Sequence, residues 1–216
     1  MAETFSVESY FTEHLPYDPR REIVWREIVR YLKPYIAESA RVLEIGAGYC
    51  HFINNVQAAK RVALDISDVV KKHAGHGVEA ITGVADDLSQ FQDGSFDVVL
   101  ASNLFEHLED ATFQKAIGEV RRVLSKDGRL IIIQPNFRYS FRDYYDDYTH
   151  IRAFTEIGLA EELRTLGMRV EHIEPRFVPF SMAKARFSVP AWVIRAYLRS
   201  PWRPKAGQML LVCRRA

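Results

Sequence analysis

Short apolar runs alternate with helix-like segments along most of the chain, and this alternation most constrains its fold. Seven runs rich in Val, Ile and Leu carry the strand pattern, at 41–46, 61–66, 78–82, 96–101, 129–135, 168–177 and 208–213. Continuous apolar runs separated by helices are typical of parallel strands that are buried on both faces. The last two runs lack an obvious crossover helix between them, which predicts an antiparallel edge. We expect an α/β protein with a doubly wound, seven-stranded, mostly parallel sheet, an antiparallel edge strand and helices on both faces.

The chain has 216 residues, which favours one domain with elaborations over two independent domains. We find no linker and no internal repeat beyond the alternation itself. The single domain over 1–216 is expected to begin with a helical cap over 1–38, continue with a core over 40–172, and carry a basic insertion over 178–206 before the last strand. Within the core, a helix is expected over residues 52–59, and Thr155 is expected to cap a further helix that ends at Leu166.

The distribution of charge is uneven. Lys and Arg total 29 and Asp and Glu total 28, but residues 175–216 contain nine Lys and Arg and no acid. This asymmetry suggests a basic face for an anionic substrate, a membrane surface or a nucleic acid. Alternatively, the basic tail faces the acidic body of the same molecule.

Other features bound the class of protein. No apolar run reaches the ~18 residues that cross a bilayer, and no basic stretch followed by an apolar one marks the amino terminus for secretion. We therefore expect a cytoplasmic protein. Cys50 and Cys213 lie far apart and match no zinc spacing, so neither a disulfide framework nor structural zinc is expected.

The most informative motif is a glycine-rich turn after the first strand. Gly46 and Gly48 allow a sharp turn and a close approach of a ligand to the main chain. Glu44 precedes them, where a carboxylate would repel a diphosphate but suit a cationic ligand. Asp65 ends the second strand, where it can accept hydrogen bonds from both hydroxyls of a ribose. The third glycine of a dinucleotide-binding turn is replaced by His51.

Together with the segment Val84-Ala85-Asp86-Asp87-Leu88, these residues resemble the class I S-adenosylmethionine-dependent methyltransferases over about residues 40–172. The resemblance implies a Rossmann-like sheet, S-adenosyl-L-methionine as the cofactor and a methyltransferase activity. A nicotinamide-binding oxidoreductase is the main competing enzyme, and Glu44 and His51 disfavour it.

The resemblance assigns the methionine and ribose parts of the cofactor to the ends of the first two strands. The residues expected to line the methionine moiety are Glu44, Gly46, Ala47, Gly48 and Tyr49. Asp65 is expected to hold the ribose. Tyr10, Phe11 and Tyr17 could cover the cofactor as a lid that excludes water, or simply cap the core.

Ile66 is expected to pack on the adenine, and Asn103 to face the amino acid part of the cofactor. Val84 occupies a position where related chains often have an acid. Two alternatives for the residue that contacts the adenine amino group therefore remain: the side chain of Asp86, or only the backbone of Ala85.

Three side chains past the fourth and fifth strands are the catalytic candidates, namely Glu106, His107 and His150. A sulfonium methyl is already activated, so a base helps only when the acceptor must lose a proton. Glu106-His107-Leu108 resembles a segment of the quinone-biosynthetic methyltransferases, some of whose relatives bind a divalent metal there. Since Asn103 replaces the leading acid of that pattern, we expect metal-independent acid–base catalysis, with a metal or a structural hydrogen bond of His150 as alternatives.

The acceptor is expected to be a small molecule, a glycosyl group or a lipid-linked compound, methylated at oxygen. The tyrosine-rich run from Tyr139 to Tyr148 could stack on it or form a surface loop. The insertion over 178–206 could form the pocket wall, bind a membrane surface through a helix over 190–199, or pack on its own domain or a second subunit. Nucleic acid is not expected. A non-catalytic cofactor-binding protein and a peripheral membrane module are the alternative functions.

Overall fold

A computed structural model describes residue 11 and residues 16–179 and 189–216. The strands are β1 (Arg41–Ile45), β2 (Lys60–Asp65), β3 (Glu79–Thr82), β4 (Phe96–Ser102), β5 (Leu124–Pro135), β6 (Met168–Glu174) and β7 (Gln208–Arg215). They form one seven-stranded sheet in the order β3-β2-β1-β4-β5-β7-β6. The strands from β1 to β5 pair in parallel, and β7 pairs antiparallel with both β5 and β6. The predicted doubly wound sheet with an antiparallel edge is confirmed.

Helices cover both faces of this sheet, as expected. They are α1 (Arg20–Leu32), α2 (His51–Asn55), α3 (Val69–His73), α4 (Asp110–Val123), α5 (Phe137–Ser140), α6 (Glu156–Thr165) and α7 (Ala191–Arg199). Short 3₁₀ turns lie at Lys33–Tyr35, Phe105–His107 and Tyr144–Asp146. One core cluster joins α1, α2 and α7 to the sheet, and a second joins α4 and α6 to its other face. Burial of these two apolar faces holds the helices on the sheet.

The helix expected over residues 52–59 is shorter than predicted, because α2 ends at Asn55 and Val56 is extended. The side chains of two asparagines explain the end of the helix. Asn54 donates to the carbonyl of His73 and accepts from the amide of Gly75, while Asn55 donates to the carbonyl of His51. Asparagine side chains that bond to backbone groups in this way compete with helix continuation.

The fifth strand begins earlier than Arg129, where we expected it to start after Gly128. Leu124 already pairs with Phe96, and the register then shifts before Arg129 pairs with Val98. The helix predicted at Thr155 is confirmed, and the Thr155 hydroxyl accepts a hydrogen bond from the amide of Gly158 at 3.1 Å. Such a cap satisfies one of the amides left open at a helix start.

The predicted helix of the basic insertion is present as α7, and it packs on α1. Ile194 and Leu198 are buried in the core cluster shared with α1, whereas Trp192 is 70% exposed. The guanidinium of Arg195 binds the buried carboxylate of Glu27, which also binds Arg30. Among the alternatives considered for this helix, direct contacts therefore support packing on its own domain.

Several cations of the tail face acids of the body. Besides Arg195 with Glu27, Arg203 pairs with Glu174, and Arg214 pairs with Glu171. Each partner acid lies in the acidic part of the chain. The charge asymmetry of the sequence is therefore balanced in part within the molecule.

Two further findings concern the class of protein. Within the described ranges, we find no helix with both the length and the hydrophobicity that a bilayer crossing demands. Cys50 and Cys213 are both buried free thiols.

We expect Leu198→Ala to lower the free energy of unfolding by about 2–4 kcal/mol, because it leaves a cavity between α7 and α1. The control is Trp192→Ala on the same helix, which should change stability by less than about 0.5 kcal/mol since its ring is exposed. Urea denaturation followed by far-UV circular dichroism measures both values. Equal effects of the two substitutions would contradict the packing of α7 described above.

Candidate active site at the carboxyl ends of the strands

The candidate site lies where the strand order reverses. Along the sheet β1 lies between β2 and β4, and the chain leaves β1 toward β2 but returns past it to β4. In open α/β sheets, ligands bind in the crevice that this reversal opens at the carboxyl ends of the strands. The turn after β1 and the turn after β4 border that crevice, and both contain residues that the sequence singles out.

The turn after β1 depends on its glycines. Gly46 and Gly48 have φ angles of +67° and +48°, in the left-handed region that side chains disfavour. A Cβ atom on Gly46 would lie 3.0 Å from the Leu104 side chain, and one on Gly48 would lie 3.3 Å from the ring of Phe11. The turn therefore requires glycine for its conformation and, at Gly46, also for space.

Asp65 joins this turn to the end of β2. One carboxylate oxygen accepts from the amide of Gly48 at 2.8 Å, and the other accepts from the amide of Ser67 at 2.8 Å. The side chain is buried, and this burial raises the pKa of Asp65 despite the two hydrogen bonds. The acid that the sequence assigns to the ribose thus also orders the glycine turn.

Glu44 lies on β1 directly below the turn and is buried. Its carboxylate accepts from the amide of Ile53 at 3.0 Å, at the start of α2. Burial raises the pKa of Glu44 well above its usual value, and the nearby charge of Asp65 raises it further. None of the ion pairs in the described part of the chain includes Glu44 or Asp65. The site therefore holds two buried acids that have no basic partner among the residues that the structure describes.

An aromatic group covers the glycine turn on its outer side. The Tyr49 hydroxyl donates to the carbonyl of Phe11 at 3.0 Å, and the two rings pack edge to face. Tyr17 packs on the rings of His51 and His73. Two of the residues proposed to cover the cofactor thus contact this region, while Tyr10 lies outside the described residues.

The end of β3 adds an apolar surface next to β2. The amide of Gly83 donates to the carbonyl of Asp65, which places the segment after β3 beside Ile66. The side chains of Ile66 and Val84 are 57% and 39% exposed. Asp86, in contrast, forms an ion pair with Lys115 of α4. An exposed apolar surface here is suited to a flat aromatic ligand.

On the other border of the crevice, Asn103 follows β4 in a left-handed conformation, with φ at +48°. Its side-chain oxygen accepts a hydrogen bond from the side-chain amide of Gln208 at 3.0 Å. Gln208 lies on β7, 105 residues from Asn103, and no motif around it marks it as a site residue.

Glu106, His107 and His150 form a second cluster, which begins a few residues after β4. The carbonyl of Glu106 accepts from the amides of Ile151 and Arg152, which holds the segment after β5 against the turn at Phe105–His107. One ligand-capable atom from each of the three side chains lies within 4.8 Å of the others. The structure thus brings together all three catalytic candidates.

Backbone carbonyls orient both imidazole rings of this cluster. His107 Nδ1 lies 3.2 Å from the carbonyl of Thr149, and His150 Nδ1 lies 2.6 Å from the carbonyl of Tyr144. The Thr149 hydroxyl is also 2.9 Å from His107 Nδ1. The orienting residues were not assigned from the sequence, since a carbonyl contact leaves no mark on residue type.

Burial dominates the electrostatics of the cluster. It raises the pKa of Glu106 to about 8 and lowers the pKa of both His107 and His150. The Glu106 side chain is fully buried, and neither of its oxygens has a hydrogen-bond partner among the described residues. Near neutral pH the two imidazoles are therefore neutral and can accept a proton.

Comparison with known proteins matches part of the chain to a family. Residues 43–132 match the model of a methyltransferase domain. That segment contains the glycine turn, both buried acids and Glu106. Over this part, less than half of the 216 residues, the chain is similar to methyltransferases.

Curated proteins share part of the sequence. The chain is 32% identical over 117 residues to an uncharacterized protein of Methanocaldococcus jannaschii, a match that covers 53% of this chain and 50% of that protein. The matches to curated relatives span about half of their length or less.

Two solved structures share the fold. A SAM-dependent methyltransferase from Archaeoglobus fulgidus superposes with a TM-score of 0.68 at 22% identity, covering 96% of this chain and 97% of that one. A 1,6-didemethyltoxoflavin-N1-methyltransferase of Burkholderia thailandensis, with 1,6-didemethyltoxoflavin and S-adenosylhomocysteine bound, superposes with a TM-score of 0.62 at 18% identity, covering 97% and 85%. These neighbours agree with S-adenosylmethionine as the predicted cofactor, whereas the quinone-biosynthetic subgroup stays a prediction.

We expect Glu44→Gln to weaken the binding of S-adenosylmethionine about tenfold, because it removes a buried charge facing a cationic ligand. S-adenosylhomocysteine, which lacks the sulfonium charge, should lose less affinity. Since the pKa of Glu44 is raised, the unsubstituted protein should bind S-adenosylmethionine more tightly as pH rises and Glu44 loses its proton. This dependence should be weaker in the variant.

Isothermal titration calorimetry with both nucleosides between pH 5 and pH 8 measures these effects. Glu161→Gln, at an exposed position of α6, is the matched control and should bind like the unsubstituted protein. Equal losses for both nucleosides would show that Glu44 acts on the shape of the turn and not through its charge.

Proposed function

We propose that this chain transfers the methyl group of S-adenosylmethionine to a hydroxyl oxygen of a small-molecule acceptor. The observation that carries the proposal is the pair of buried acids, Glu44 and Asp65, at a glycine turn without a basic partner in the described structure. Buried acids without a cation are costly, and a ligand that supplies the positive charge offsets that cost.

The charge of this site selects among the nucleosides that a Rossmann-like sheet can hold. A dinucleotide presents a diphosphate to the glycine turn, and two acids in that position would repel it. S-adenosylmethionine presents a sulfonium and an ammonium group instead. The acids therefore favour this cofactor, and they favour its charged form over the demethylated product.

The surface beside the turn supports the placement of the nucleoside. The exposed side chains of Ile66 and Val84 follow the ends of neighbouring strands β2 and β3. An adenine ring on this surface would cover apolar area that is otherwise exposed. Asp65 lies between that surface and the glycine turn, which is where the ribose would be.

The cluster of Glu106, His107 and His150 supports oxygen as the acceptor atom. A hydroxyl group must lose its proton on methylation, and a neutral imidazole is a suitable base near neutral pH. Burial keeps both imidazoles neutral by lowering the pKa of each. The candidates lie at the carboxyl edge of the sheet, beyond β4 and β5, as an acceptor site requires.

Aromatic side chains next to this cluster favour a small organic acceptor. Four rings of the run after β5 are exposed, namely Tyr139, Phe141, Tyr145 and Tyr148. Tyr144, in contrast, is fully buried and packs on His150. The small molecule bound by the Burkholderia thailandensis relative agrees with an acceptor of this size. Because tail cations pair with acids of the same chain, we do not extend the proposal to lipid-linked acceptors.

We expect the purified chain to release S-adenosylhomocysteine when it is given a hydroxyl-bearing acceptor, and His150→Asn to lower kcat by about 100-fold. A panel of phenols and sugars, each paired with its O-methylated analogue, tests the acceptor atom. The analogues should give no turnover. The affinity of His150→Asn for S-adenosylhomocysteine should stay within about twofold of the unsubstituted protein, since the cluster is separate from the nucleoside.

The matched control is His76→Gln, which replaces an exposed histidine outside the cluster and should leave kcat unchanged. Nucleoside binding without turnover on any acceptor would favour a non-catalytic binding protein. Equal turnover with the O-methylated analogues would show that oxygen is not the accepting atom.

A further inference from the structure

We propose that a surface formed by α1 and α7 binds the face of a lipid bilayer that contains acidic lipids. This α1–α7 surface consists of Arg26, Arg30, Trp192, Arg195, Arg199 and Trp202. Three observations carry the inference: the exposure of two indoles, the way in which they are held, and an excess of cations on the same helices. The inference goes beyond the proposed function, because none of these residues belongs to the cofactor site or to the Glu106 cluster.

The first observation is the exposure of the indoles. Trp192 and Trp202 are 70% and 76% exposed, more than any other large apolar side chain that the structure describes. Tryptophan is on average a highly buried residue, and Trp25, at 9% exposure in the core, shows this usual state. An indole combines an apolar body with one N–H donor, and tryptophan is for this reason enriched at the boundary between lipid and water.

The second observation is that both indoles are tied to the ends of α7. Trp192 lies in its first turn, and Trp202 follows its last residue by three positions. The Ser200 hydroxyl donates to the carbonyl of Trp202 and accepts from its amide, at 2.9 and 3.1 Å. The guanidinium of Arg203 binds the carbonyls of Leu198 and Ser200. The segment after α7 is therefore held against the end of the helix, and its indole is presented from a fixed backbone.

The third observation is the arrangement of the cations. Arg30 of α1 and Arg195 of α7 share the buried carboxylate of Glu27, at 2.8 and 2.9 Å. A shallow hollow between the two helices is lined by both of these arginines and by Arg199. The cations of α1 and α7 therefore lie on one continuous surface.

This surface has more positive than negative charge. Arg26 lies one turn before Arg30 and is exposed, and Arg199 lies two turns after Trp192 on the exposed side of α7. Neither Arg26 nor Arg199 forms an ion pair with a residue that the structure describes. The four arginines of the surface thus face one carboxylate, that of Glu27, and residues 175–216 contain no acid.

A bilayer with acidic lipids is complementary to this surface in both respects. Its charge attracts the cations, each of which strengthens binding about fivefold near the membrane, and its headgroup region accepts indoles. The apolar side of α7 is already packed on α1, so the contact uses indoles and cations and is reversible. A nucleic acid strand stacks its successive bases on neighbouring rings, whereas these two indoles are at opposite ends of a helix about 13 Å long.

The test uses the full chain and vesicles of two compositions, phosphatidylcholine alone and an equal mixture of phosphatidylcholine and phosphatidylserine. Sedimentation should show binding to the acidic vesicles that is about tenfold tighter than to the neutral ones and that weakens with added salt. Trp192→Ala combined with Trp202→Ala should weaken the binding to acidic vesicles about tenfold. Arg26→Gln combined with Arg199→Gln should weaken it about 20-fold.

Matched controls separate the α1–α7 surface from overall charge and hydrophobicity. Lys72→Gln combined with Lys126→Gln removes the same charge at exposed positions of α3 and β5, and Ile157→Ala removes an exposed apolar side chain of α6. Both should bind acidic vesicles within about twofold of the unsubstituted protein. Tryptophan emission should shift to shorter wavelength on binding, and this shift should be absent in the double tryptophan variant, because the remaining Trp25 is already buried.

Circular dichroism and the melting temperature show that each variant is folded, and Trp202→Ala alone replaces the double tryptophan variant if that does not fold. The proposal is overturned if the chain does not bind acidic vesicles, if it binds neutral ones as well, or if the controls lose as much as the surface variants. Tighter binding to single-stranded polyuridine than to acidic vesicles would also overturn it. The affinity for S-adenosylhomocysteine should be the same in all variants, so failure of this proposal is distinct from failure of the proposed function.

Discussion

The hydrogen bond from the Gly48 amide to Asp65 is the interaction on which the glycine turn after β1 depends. It joins the turn after β1 to the end of β2, and the second oxygen of Asp65 holds the chain as it leaves β2. The two oxygens of a carboxylate can accept from both segments at once. Burying that charge is costly, so under the proposed function the shape of the site and its preference for a cation both depend on Asp65.

A second backbone contact builds the other half of the site. The carbonyl of Glu106 accepts from two successive amides after His150, and this contact joins segments that are more than forty residues apart. Backbone carbonyls hold both histidine rings that meet there, and the two rings also contact each other. Positions held by backbone hydrogen bonds are rigid, which a catalytic cluster requires. The glycine turn and the cluster of Glu106, His107 and His150, the proposed cofactor and acceptor sites, therefore depend on separate contacts along one edge of the sheet.

Ion pairs within the molecule account for part of the basic charge of the tail, residues 175–216. Nine cations without an acid suggest a surface for an anionic partner, yet Arg195, Arg203 and Arg214 each bind an acid of the body. The tail also supplies β7, which fills the place between β5 and β6. The ion pairs of Arg203 and Arg214 thus hold the tail against β6, and the ion pair of Arg195 stabilises the packing of α7.

The sequence by itself determined the strand and helix order, the glycine turn and the identity of the candidate residues. These follow from local patterns: apolar periodicity, glycine at left-handed positions and an acid at a strand end. It misplaced the end of α2 and the start of β5, because side chains and strands distant in sequence decide both boundaries. Only the tertiary structure showed that, among the residues it describes, Glu44 and Asp65 have no basic partner and the Glu106 side chain has no hydrogen-bond partner, and that carbonyls orient two histidines. Each of these findings depends on contacts between residues that are distant in sequence. A local residue pattern does not show whether such contacts form.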